Sequence, residues 1–302
     1  MRDFEVVVDR CVERYRMDSA NAARLFHGRG HFYPGYEDIT VDLFPPCLVI
    51  GSFGEDGEGV DLLADLLSTR LNVEGVCVQE RQGRRTDTRV VNGTVPDRLL
   101  VREGELRFYV HPTRNQNVGL FLDMAPARRW VHERANGQRV LNLFAYTCAF
   151  SVAAIAGGAR SVVNNDMSRS ALDWGAENHL ANKHDLRIVS MLPYNLFRSW
   201  RKVRQLGPYD LVVIDPPTNQ RGSFVAEKQY GQIMKRLPEF TEPGGYVIAC
   251  LNSPFLNTDF LPSQMARWCP QCTWLDYLPA SDDFPDSYPD RALKVGLFRF
   301  QG

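Results

Sequence analysis

Residues 139–151 read RVLNLFAYTCAFS, and this stretch decides the fold. Its apolar first part predicts a strand over residues 139–144, the small residues that follow predict a tight turn, and residues 150–156 are predicted to be a helix. Backbone N–H groups at such a joint can face a carboxylate or a sugar. The stretch lacks the glycine-rich dinucleotide fingerprint, so a ligand site here needs support from other motifs.

Downstream of this stretch, apolar strands continue to alternate with helices. Further strands are predicted at residues 161–165, 187–191, 210–214 and 246–251, and residues 274–279 and 294–298 are predicted to end the chain as an antiparallel pair. Strands separated by helices of this length form a parallel, doubly wound sheet. We therefore predict an α/β domain over residues 115–302, with a terminal antiparallel hairpin in its sheet.

Upstream, residues 1–114 are predicted to form a smaller α+β domain. Helices are predicted at residues 4–15, 19–26 and 57–71, and strands at 39–43, 47–50, 73–78 and 105–110. The arginine-rich segment 79–87 is polar and is predicted to be a loop.

The composition is that of an ordinary globular protein, with 44% hydrophobic and 24% charged residues and a formal net charge of -1. No apolar run approaches the roughly 20 residues that a membrane span needs, and the N-terminus lacks the order of a signal peptide. Seven cysteines scattered through apolar stretches favour reduced thiols. These features predict a cytoplasmic protein. A nearly neutral chain would attract nucleic acid only through a local basic patch.

Carboxylates follow two of the predicted strands, where doubly wound sheets bind their ligands. Asp166 follows one strand, and an acidic side chain there can accept hydrogen bonds from both hydroxyls of a ribose. Its alternative role is to cap the next helix, which Ser168 could also do. The run Asp215-Pro216-Pro217-Thr218 follows another strand and predicts a stiff ledge whose carbonyls could hold a flat base.

These motifs resemble the class I S-adenosylmethionine-dependent methyltransferases, and more closely the bacterial 23S rRNA large-subunit methyltransferases of the I and K/L types. The matching stretches are residues 119–123, 127–129, 143–147, 157–161, 166–169 and 214–218, together with Trp174, Asn178, Asn182, Gly244 and Gly245. The resemblance covers residue 115 to the end of the chain and, more faintly, the domain before it. It implies a Rossmann-like class I methyltransferase sheet.

The resemblance also implies S-adenosyl-L-methionine as the cofactor. Asp166 would bind the ribose hydroxyls, Met167 would pack on the adenine, and Asn195, where the family usually has Asp, would face the adenine amino group. The turn after the first strand would wrap the methionine part. The implied cofactor-binding residues are Phe121, Phe144, Ala145, Tyr146, Thr147, Asp166, Met167, Ser168, Asn195 and Asp215.

The implied catalytic residues are Asp215, Pro216, Pro217 and Asn252, which would hold the target base. Methylation of a pyrimidine at C5 needs a cysteine thiolate; the I type carries one at the position of Asn252, and Cys250 lies two residues earlier on the same predicted strand face. The K type has asparagine at that position and methylates guanine N7, a nitrogen that needs no covalent catalyst. We therefore favour a purine nitrogen and keep Cys250 as the alternative.

Three departures from the family pattern bear on activity. Cys148 stands where the family usually has glycine, and Asn219 stands where it usually has an aromatic residue. Ala125 lies in a stretch that normally carries an arginine suited to the cofactor carboxylate. A methyltransferase for a non-RNA acceptor and a catalytically silent cofactor-binding protein therefore remain alternatives.

Two arginine-rich segments are candidates for RNA contact. Arg84 and Arg85 lie on the predicted loop of the first domain, and the family places that loop at the substrate cleft. A second group surrounds Trp200, and either group could be an ordinary solvated face. Cys269 and Cys272 have the spacing of a zinc half-site, but no second pair follows, so no metal is predicted. A homodimer is left open.

Overall fold

The computed structural model describes residues 2–54, 59–82, 85–114, 117–217, 219–220 and 224–302. The chain divides into two compact units, Met1–Asp123 with Ser281–Tyr288, and Met124–Ala280 with Pro289–Gly302. The predicted limits, 1–114 and 115–302, differ from these units at 115–123 and 281–288. Residues 281–288 join the first unit because Arg14 pairs with Asp283 and Ser287 N–H donates to the Gly30 carbonyl at 2.8 Å.

The first unit is a five-stranded sheet with two helices packed against it and a separate hairpin. Its elements are α1 (Glu5–Met17), β1 (Ala23–His27), β2 (Ile39–Phe44), β3 (Cys47–Ser52), α2 (Val60–Arg70), β4 (Gly75–Gln82), β5 (Arg85–Gly93), β6 (Leu99–Glu103) and β7 (Leu106–Val110). The strand order is β1-β2-β3-β4-β5, in which β3 and β4 are parallel because α2 connects them, and β6 pairs with β7. One apolar core joins both helices to the sheet through residues such as Val7, Leu63 and Ile39.

Two predictions for this unit are wrong. No helix forms at residues 19–26, because residues 23–27 are β1, which pairs with β2 so that Phe26 lies opposite Val41. Phe26 fills the core, so strand pairing outweighs the local helical spacing. Of the loop predicted at residues 79–87, residues 79–82 instead end β4 and residues 85–87 begin β5, and Gln79 lies opposite Thr88.

The second unit is built on a seven-stranded sheet. Its elements are α3 (Ala125–Arg134), β8 (Arg139–Leu143), α4 (Ala149–Ala156), β9 (Ser161–Asn165), α5 (Arg169–Ala181), β10 (Val189–Leu192), α6 (Leu196–Leu206), β11 (Tyr209–Ile214), β12 (Asn219–Gln220), β13 (Phe224–Val225), α7 (Ala226–Met234), β14 (Thr241–Leu251), α8 (Phe260–Trp268), β15 (Cys272–Tyr277) and β16 (Lys294–Phe300). The strand order is β10-β9-β8-β11-β14-β16-β15, and β16 runs antiparallel to both its neighbours. The predicted α/β fold with a terminal antiparallel hairpin is therefore confirmed, whereas α3 was not predicted.

The strand order reverses at β8, which lies between β9 and β11. The carboxyl ends of β8 and β11 therefore flank the crevice in which doubly wound sheets bind ligands. Alternate residues fill apolar clusters on the two faces of the sheet, with Leu143 and Ile214 on one face and Val140 and Val213 on the other. This packing fixes the strand ends, so the residues that follow them meet at one edge of the sheet.

Candidate active site

The turn after β8 contains three residues in the left-handed region. Phe144, Tyr146 and Cys148 have φ angles of 59°, 46° and 64°. Non-glycine residues pay roughly 1–2 kcal/mol each for this conformation. The turn is closed by Cys148 N–H, which donates to the Ala145 carbonyl at 2.7 Å, and by Ala145 N–H, which donates to the Asn165 carbonyl at 3.0 Å. Such strain, held by surrounding contacts, is common at ligand sites.

The left-handed position of Cys148 explains why glycine is usual there. The thiol is fully buried and lies 4.0 Å from Met191 Sδ. A Cβ on Gly175 of α5 would lie 2.3 Å from Cys148 Sγ, so glycine at 175 makes room for the thiol. Burial raises the pKa of Cys148, which keeps the thiol protonated and unreactive. Packing on α5 therefore accommodates this departure from the family pattern.

Asp166 connects the turn after β8 to the start of α5. Its Oδ2 accepts a hydrogen bond from Tyr146 N–H at 2.9 Å, and its Oδ1 accepts one from Ser168 N–H at 2.8 Å. Ser168 itself caps α5, since its Oγ accepts from Ala171 N–H at 3.2 Å. The helix cap that was weighed for both residues is thus made by Ser168, while Asp166 bridges two strand ends.

Asparagines organise the neighbouring end of β10. The side chain of Asn165 donates to the carbonyls of Leu192 at 3.0 Å and Tyr194 at 2.9 Å. Asn195 Oδ1 accepts from Phe197 N–H at 2.9 Å and caps α6. Asn195 therefore lies at the same sheet edge as Asp166, with part of its hydrogen-bonding capacity used by the helix.

The Asp215 ledge follows β11, and Asp215 N–H approaches the Leu143 carbonyl at 3.4 Å. Pro216 is buried and Pro217 is exposed, as expected for a rigid turn that has one of its two prolines in the core. Thr218 lies outside the described residues, and Asn219 begins β12, with its side chain outside the described part. Tyr230 is fully buried close to this ledge, and its hydroxyl donates to the Cys250 carbonyl. Burial raises the pKa of Tyr230, and the nearby Cys250 and Asp215 raise it further.

Cys250 and Asn252 differ sharply in access to solvent. The thiol of Cys250 is 1% exposed and belongs to the apolar cluster that also contains Val213 and Leu297. Asn252 follows the last residue of β14 and is exposed. Because β14 lies parallel to β11, Asn252 lies at the same sheet edge as Asp215.

Sequence reasoning missed Lys294, at the first position of β16. This lysine is 3% exposed, and its ammonium donates to the carbonyls of Ser253 at 3.3 Å, Asp290 at 2.7 Å and Ala292 at 2.8 Å. A lysine directly before an apolar strand was its only sequence signal. The buried ammonium ties the loop after β14 to the segment before β16.

Sequence reasoning also missed Phe255, which is 90% exposed in that loop. Its N–H donates to Ser253 Oγ at 3.3 Å, and Asp290 Oδ1 accepts from the N–H of Thr258 at 3.2 Å at the far side of the loop. An isolated aromatic residue in a polar stretch was the signal for it. The loop is anchored at both sides while the ring stays in solvent.

Most of the predicted site residues are therefore brought to the carboxyl edge of one sheet. These are Phe144, Ala145, Tyr146, Thr147, Asp166, Met167, Ser168, Asn195, Asp215, Pro216, Pro217 and Asn252. Phe121, 43% exposed, belongs to the first unit. Arg84 lies outside the described residues, and Arg85 begins β5 with its side chain outside the described part.

Within the described ranges, no group of three or more His, Cys, Asp or Glu side chains is placed to hold a metal ion. Cys269 Sγ and Cys272 Sγ lie 3.5 Å apart, both buried at the junction of α8 and β15. Among the helices of the described residues, none is long and apolar enough to cross a membrane.

Comparison with known proteins gives matches along most of the chain. A family model described as S-adenosylmethionine-dependent methyltransferase matches residues 23–299. The Ribosomal RNA large subunit methyltransferase I of Enterobacter sp. (strain 638) is 28% identical over 263 residues, which cover 83% of this chain and 66% of that protein. Its namesake from Yersinia pseudotuberculosis serotype O:1b (strain IP 31758) is 29% identical over 261 residues, covering 82% of this chain and 65% of the relative. The chain thus matches slightly less than two thirds of the length of each relative.

A solved structure shares the fold of nearly the whole chain. The crystal structure of the methyltransferase SMU.776 complexed with SAH superposes with a TM-score of 0.86 at 21% identity, covering 99% of this chain and 82% of that one. The M. jannaschii tRNA m1G37 methyltransferase superposes with a TM-score of 0.63 at 15% identity, covering 89% and 77%. The resemblance to the I-type methyltransferases that rested on short motifs is confirmed by these matches.

Proposed function

The chain belongs to the S-adenosylmethionine-dependent methyltransferase family, and on that premise we propose that it methylates a base in rRNA, at a purine nitrogen of the guanine N7 kind. The observation that carries the choice of atom is the contrast between Asn252, exposed at the site edge, and Cys250, whose thiol is buried. The relatives named Ribosomal RNA large subunit methyltransferase I support RNA as the substrate. An rRNA substrate would also support a cytoplasmic location.

The carboxyl edge of the sheet fits S-adenosyl-L-methionine, which supplies an electrophilic methyl group when bound. Asp166 accepts two backbone N–H groups and keeps further lone pairs for ribose hydroxyls. Met167 is 53% exposed beside it, where an adenine ring could cover its side chain. The oxygen of Asn195 keeps a second lone pair for the adenine amino group. The turn at residues 144–147 would surround the methionine part.

The residues at Asp215 and Asn252 suit a target that needs orientation rather than activation. Guanine N7 carries an exposed lone pair, so the protein has no proton to remove and no covalent adduct to form before transfer. Asn252 could hydrogen-bond an edge of the base, and the Asp215 ledge could hold its plane. Correct alignment alone can account for several kcal/mol of a methyl-transfer barrier, about 7 kcal/mol or more in the best-oriented reactions.

Phe255 is proposed to stack on the target base, because it is an exposed aromatic side chain in the anchored loop next to Asn252. Stacking contributes about 1–3 kcal/mol per base, so Phe255→Ala should raise the KM for RNA by about 5-fold or more. Steady-state methyl transfer measures this, with Phe255→Tyr expected to retain activity. Leu275→Ala, which removes another exposed apolar side chain, is the matched control. An unchanged KM in Phe255→Ala would remove Phe255 from the site.

The pyrimidine C5 alternative would require Cys250 to form a thiolate and reach C6 of the ring. Its position in an apolar cluster disfavours both the charge and the contact. If the alternative holds, Cys250→Ala abolishes methyl transfer. If the purine proposal holds, Cys250→Ala retains most activity, and Asn252→Ala loses it.

The deciding experiment is transfer of labelled methyl groups from S-adenosyl-L-methionine to naked and ribosome-bound rRNA from a strain that lacks this gene. We expect incorporation that maps to one purine and is lost in Asp215→Ala. Incorporation at C5 of a pyrimidine would overturn the choice of atom. Calorimetric cofactor binding without transfer to any RNA would favour a non-RNA acceptor or a catalytically silent relative. The homodimer that the sequence left open stays a prediction.

A further inference from the structure

The outward face of α6 carries an uncompensated positive charge. Leu196, Ser199 and Val203 are buried, so the opposite face of the helix points to solvent. Arg198, Arg201 and Lys202 lie on that face and are all exposed. We call these three side chains the α6 basic face.

The α6 basic face is unfavourable for the helix itself. The three side chains carry like charges on one exposed face, and like charges close together repel. Arg198 also lies in the first turn of the helix, near its partly positive end, where cations are disfavoured. No acidic residue occurs in the first turn of α6, and among the ion pairs of the described residues none involves these three side chains.

The other end of the same helix is balanced. Arg204 pairs with Glu239 at 2.7 Å, and Glu239 also accepts from Arg236 at 2.9 Å. Basic residues therefore find carboxylates at the carboxyl end of α6 but not at its amino end. The positive charge at the amino end is therefore left without a carboxylate partner among the described residues.

The amino end of α6 also lies beside the candidate active site. Its cap is Asn195, which follows β10 at the sheet edge that carries Asp166. Tyr194, directly before the cap, is 40% exposed, and Lys202 Nζ lies 3.4 Å from the centre of its ring. The pKa of Tyr194 is lowered, because Lys202 lies against it and the positive charges of Lys202 and Arg169 favour the phenolate. Arg169 thus extends the positive surface to α5.

We propose that the α6 basic face binds the phosphate backbone of the substrate RNA and guides the target nucleotide toward the sheet edge. Guanidinium groups match phosphate oxygens in bidentate geometry, and an exposed tyrosine beside them provides a ring on which a neighbouring base can stack. RNA as the source of the phosphate rests on the proposed function. The nearly neutral chain makes such a local patch necessary for attraction.

The test measures equilibrium binding of an unmethylated 23S rRNA fragment by fluorescence polarisation, over a series of salt concentrations. The test variant carries Arg198→Gln, Arg201→Gln and Lys202→Gln together. Each lost phosphate contact should reduce the slope of log K against log salt by about 0.7–0.9. We expect the slope to fall by about 2 and the affinity to fall at least 10-fold at about 0.1 M salt.

Three controls distinguish phosphate binding by the α6 basic face from a general effect of positive charge and from a loss of folding. Arg204→Gln removes one positive charge from the same helix, outside the α6 basic face, and should leave RNA binding nearly unchanged. The triple variant should keep the thermal stability and the cofactor Kd of the original chain. It should also raise the KM for RNA while leaving kcat nearly unchanged, which a merely structural role of the helix would not do.

The outcomes separate this inference from the proposed function. If methyl transfer to rRNA occurs and the triple variant binds RNA with the original slope, the inference is overturned and the function stands. If the chain binds RNA through the α6 basic face but transfers no methyl group, the function fails, and only the phosphate binding of the inference stands. Equal losses in Arg204→Gln and in the triple variant, or no RNA binding by the original chain, would also overturn the inference.

Discussion

Single residues hold the turn after β8 in its left-handed conformation. Cys148 adopts a positive φ, which is strained for a non-glycine residue, and its thiol fills the space that Gly175 leaves on α5. Asp166 accepts the N–H of Tyr146 and so fixes the same turn from β9. The turn and Asp166, the proposed acceptor for the ribose hydroxyls, therefore form one hydrogen-bonded arrangement. Changes to either should affect both stability and cofactor binding.

Gly175→Ala tests the fit between the thiol and α5. Alanine raises helix propensity by about 1 kcal/mol, yet its Cβ would meet Cys148 Sγ at 2.3 Å. Overpacking of this kind costs about 1–3 kcal/mol, so we expect a lower free energy of unfolding in urea. The double variant Cys148→Gly/Gly175→Ala should be more stable than Gly175→Ala alone. A single variant as stable as the original chain would contradict this packing argument.

Asp166→Ala tests the ribose acceptor. The variant loses the carboxylate that would bind the ribose hydroxyls and leaves Tyr146 N–H without its acceptor. We expect the calorimetric Kd for S-adenosyl-L-methionine to rise by about 10-fold or more, equivalent to about 1.4 kcal/mol. Asp185→Ala is the control, because Asp185 also accepts a backbone N–H, that of Arg187, but precedes β10 at the opposite sheet edge. Equal effects of the two variants would argue against a cofactor role for Asp166.

At the scale of elements, the loop after β14 is held by β16 rather than by its own sequence. Lys294 supplies three hydrogen bonds to carbonyls of the loop and of the segment before β16. Tyr277 of β15 adds a bond from its hydroxyl to the Thr258 carbonyl. The terminal hairpin therefore positions Asn252 and Phe255 as well as completing the sheet.

Lys294→Met should loosen this loop. The change retains most of the side-chain volume. It leaves the carbonyls of Ser253, Asp290 and Ala292 without the lysine donor, at a cost of about 1–3 kcal/mol. We expect lower stability in urea and faster hydrogen exchange at residues 252–258. Lys235→Met, at an exposed site after α7, should change neither. Unchanged exchange in Lys294→Met would show that the loop is held by other contacts.

At the scale of the whole molecule, each unit holds a neutral histidine, His27 half-buried in the first and His179 fully buried in the second. Burial lowers the pKa of His27 in the first unit and of His179 in the second to about 3, and Arg24 and Arg29 add to the effect at His27. In the second unit, His179 joins Ser151 of α4 at 3.0 Å and His184 at 3.0 Å. Neither histidine accepts a proton in the folded state at mild acid pH.

Both units should therefore lose stability on acidification. An unfolded histidine binds a proton below pH about 6.5, whereas the folded ones stay neutral down to about 3, so stability is complete above 6.5 and falls below it. The slope is about 1.4 kcal/mol per pH unit for each histidine. Calorimetry between pH 7.5 and 5.5 measures it. His179→Asn should flatten the slope of the second unit, and exposed His132→Asn should not; equal slopes in both would contradict the assignment.

Local pattern was sufficient for the main strands of the second unit and for the motifs at their ends, but not for α3, β12 and β13. The positions of Asp166 and Asp215 follow from strand periodicity, because a residue that ends a parallel strand must lie at the ligand edge of the sheet. The S-adenosylmethionine-dependent family could be recognised from the same motifs. The period of a strand is a local property, and so it can be read from the chain.

Long-range packing decided the rest. Residues 23–27 form a strand, where a helix was predicted over 19–26, because β2 pairs with them, and residues 281–288 join the first unit through contacts with Arg14 and Gly30. Cys250 and Asn252 are two residues apart, yet one is buried and the other exposed because β14 ends between them. The burial of Lys294 and the fit of Cys148 to Gly175 join residues distant in the chain. Such contacts depend on which segments meet in space, and no periodicity within a segment encodes that.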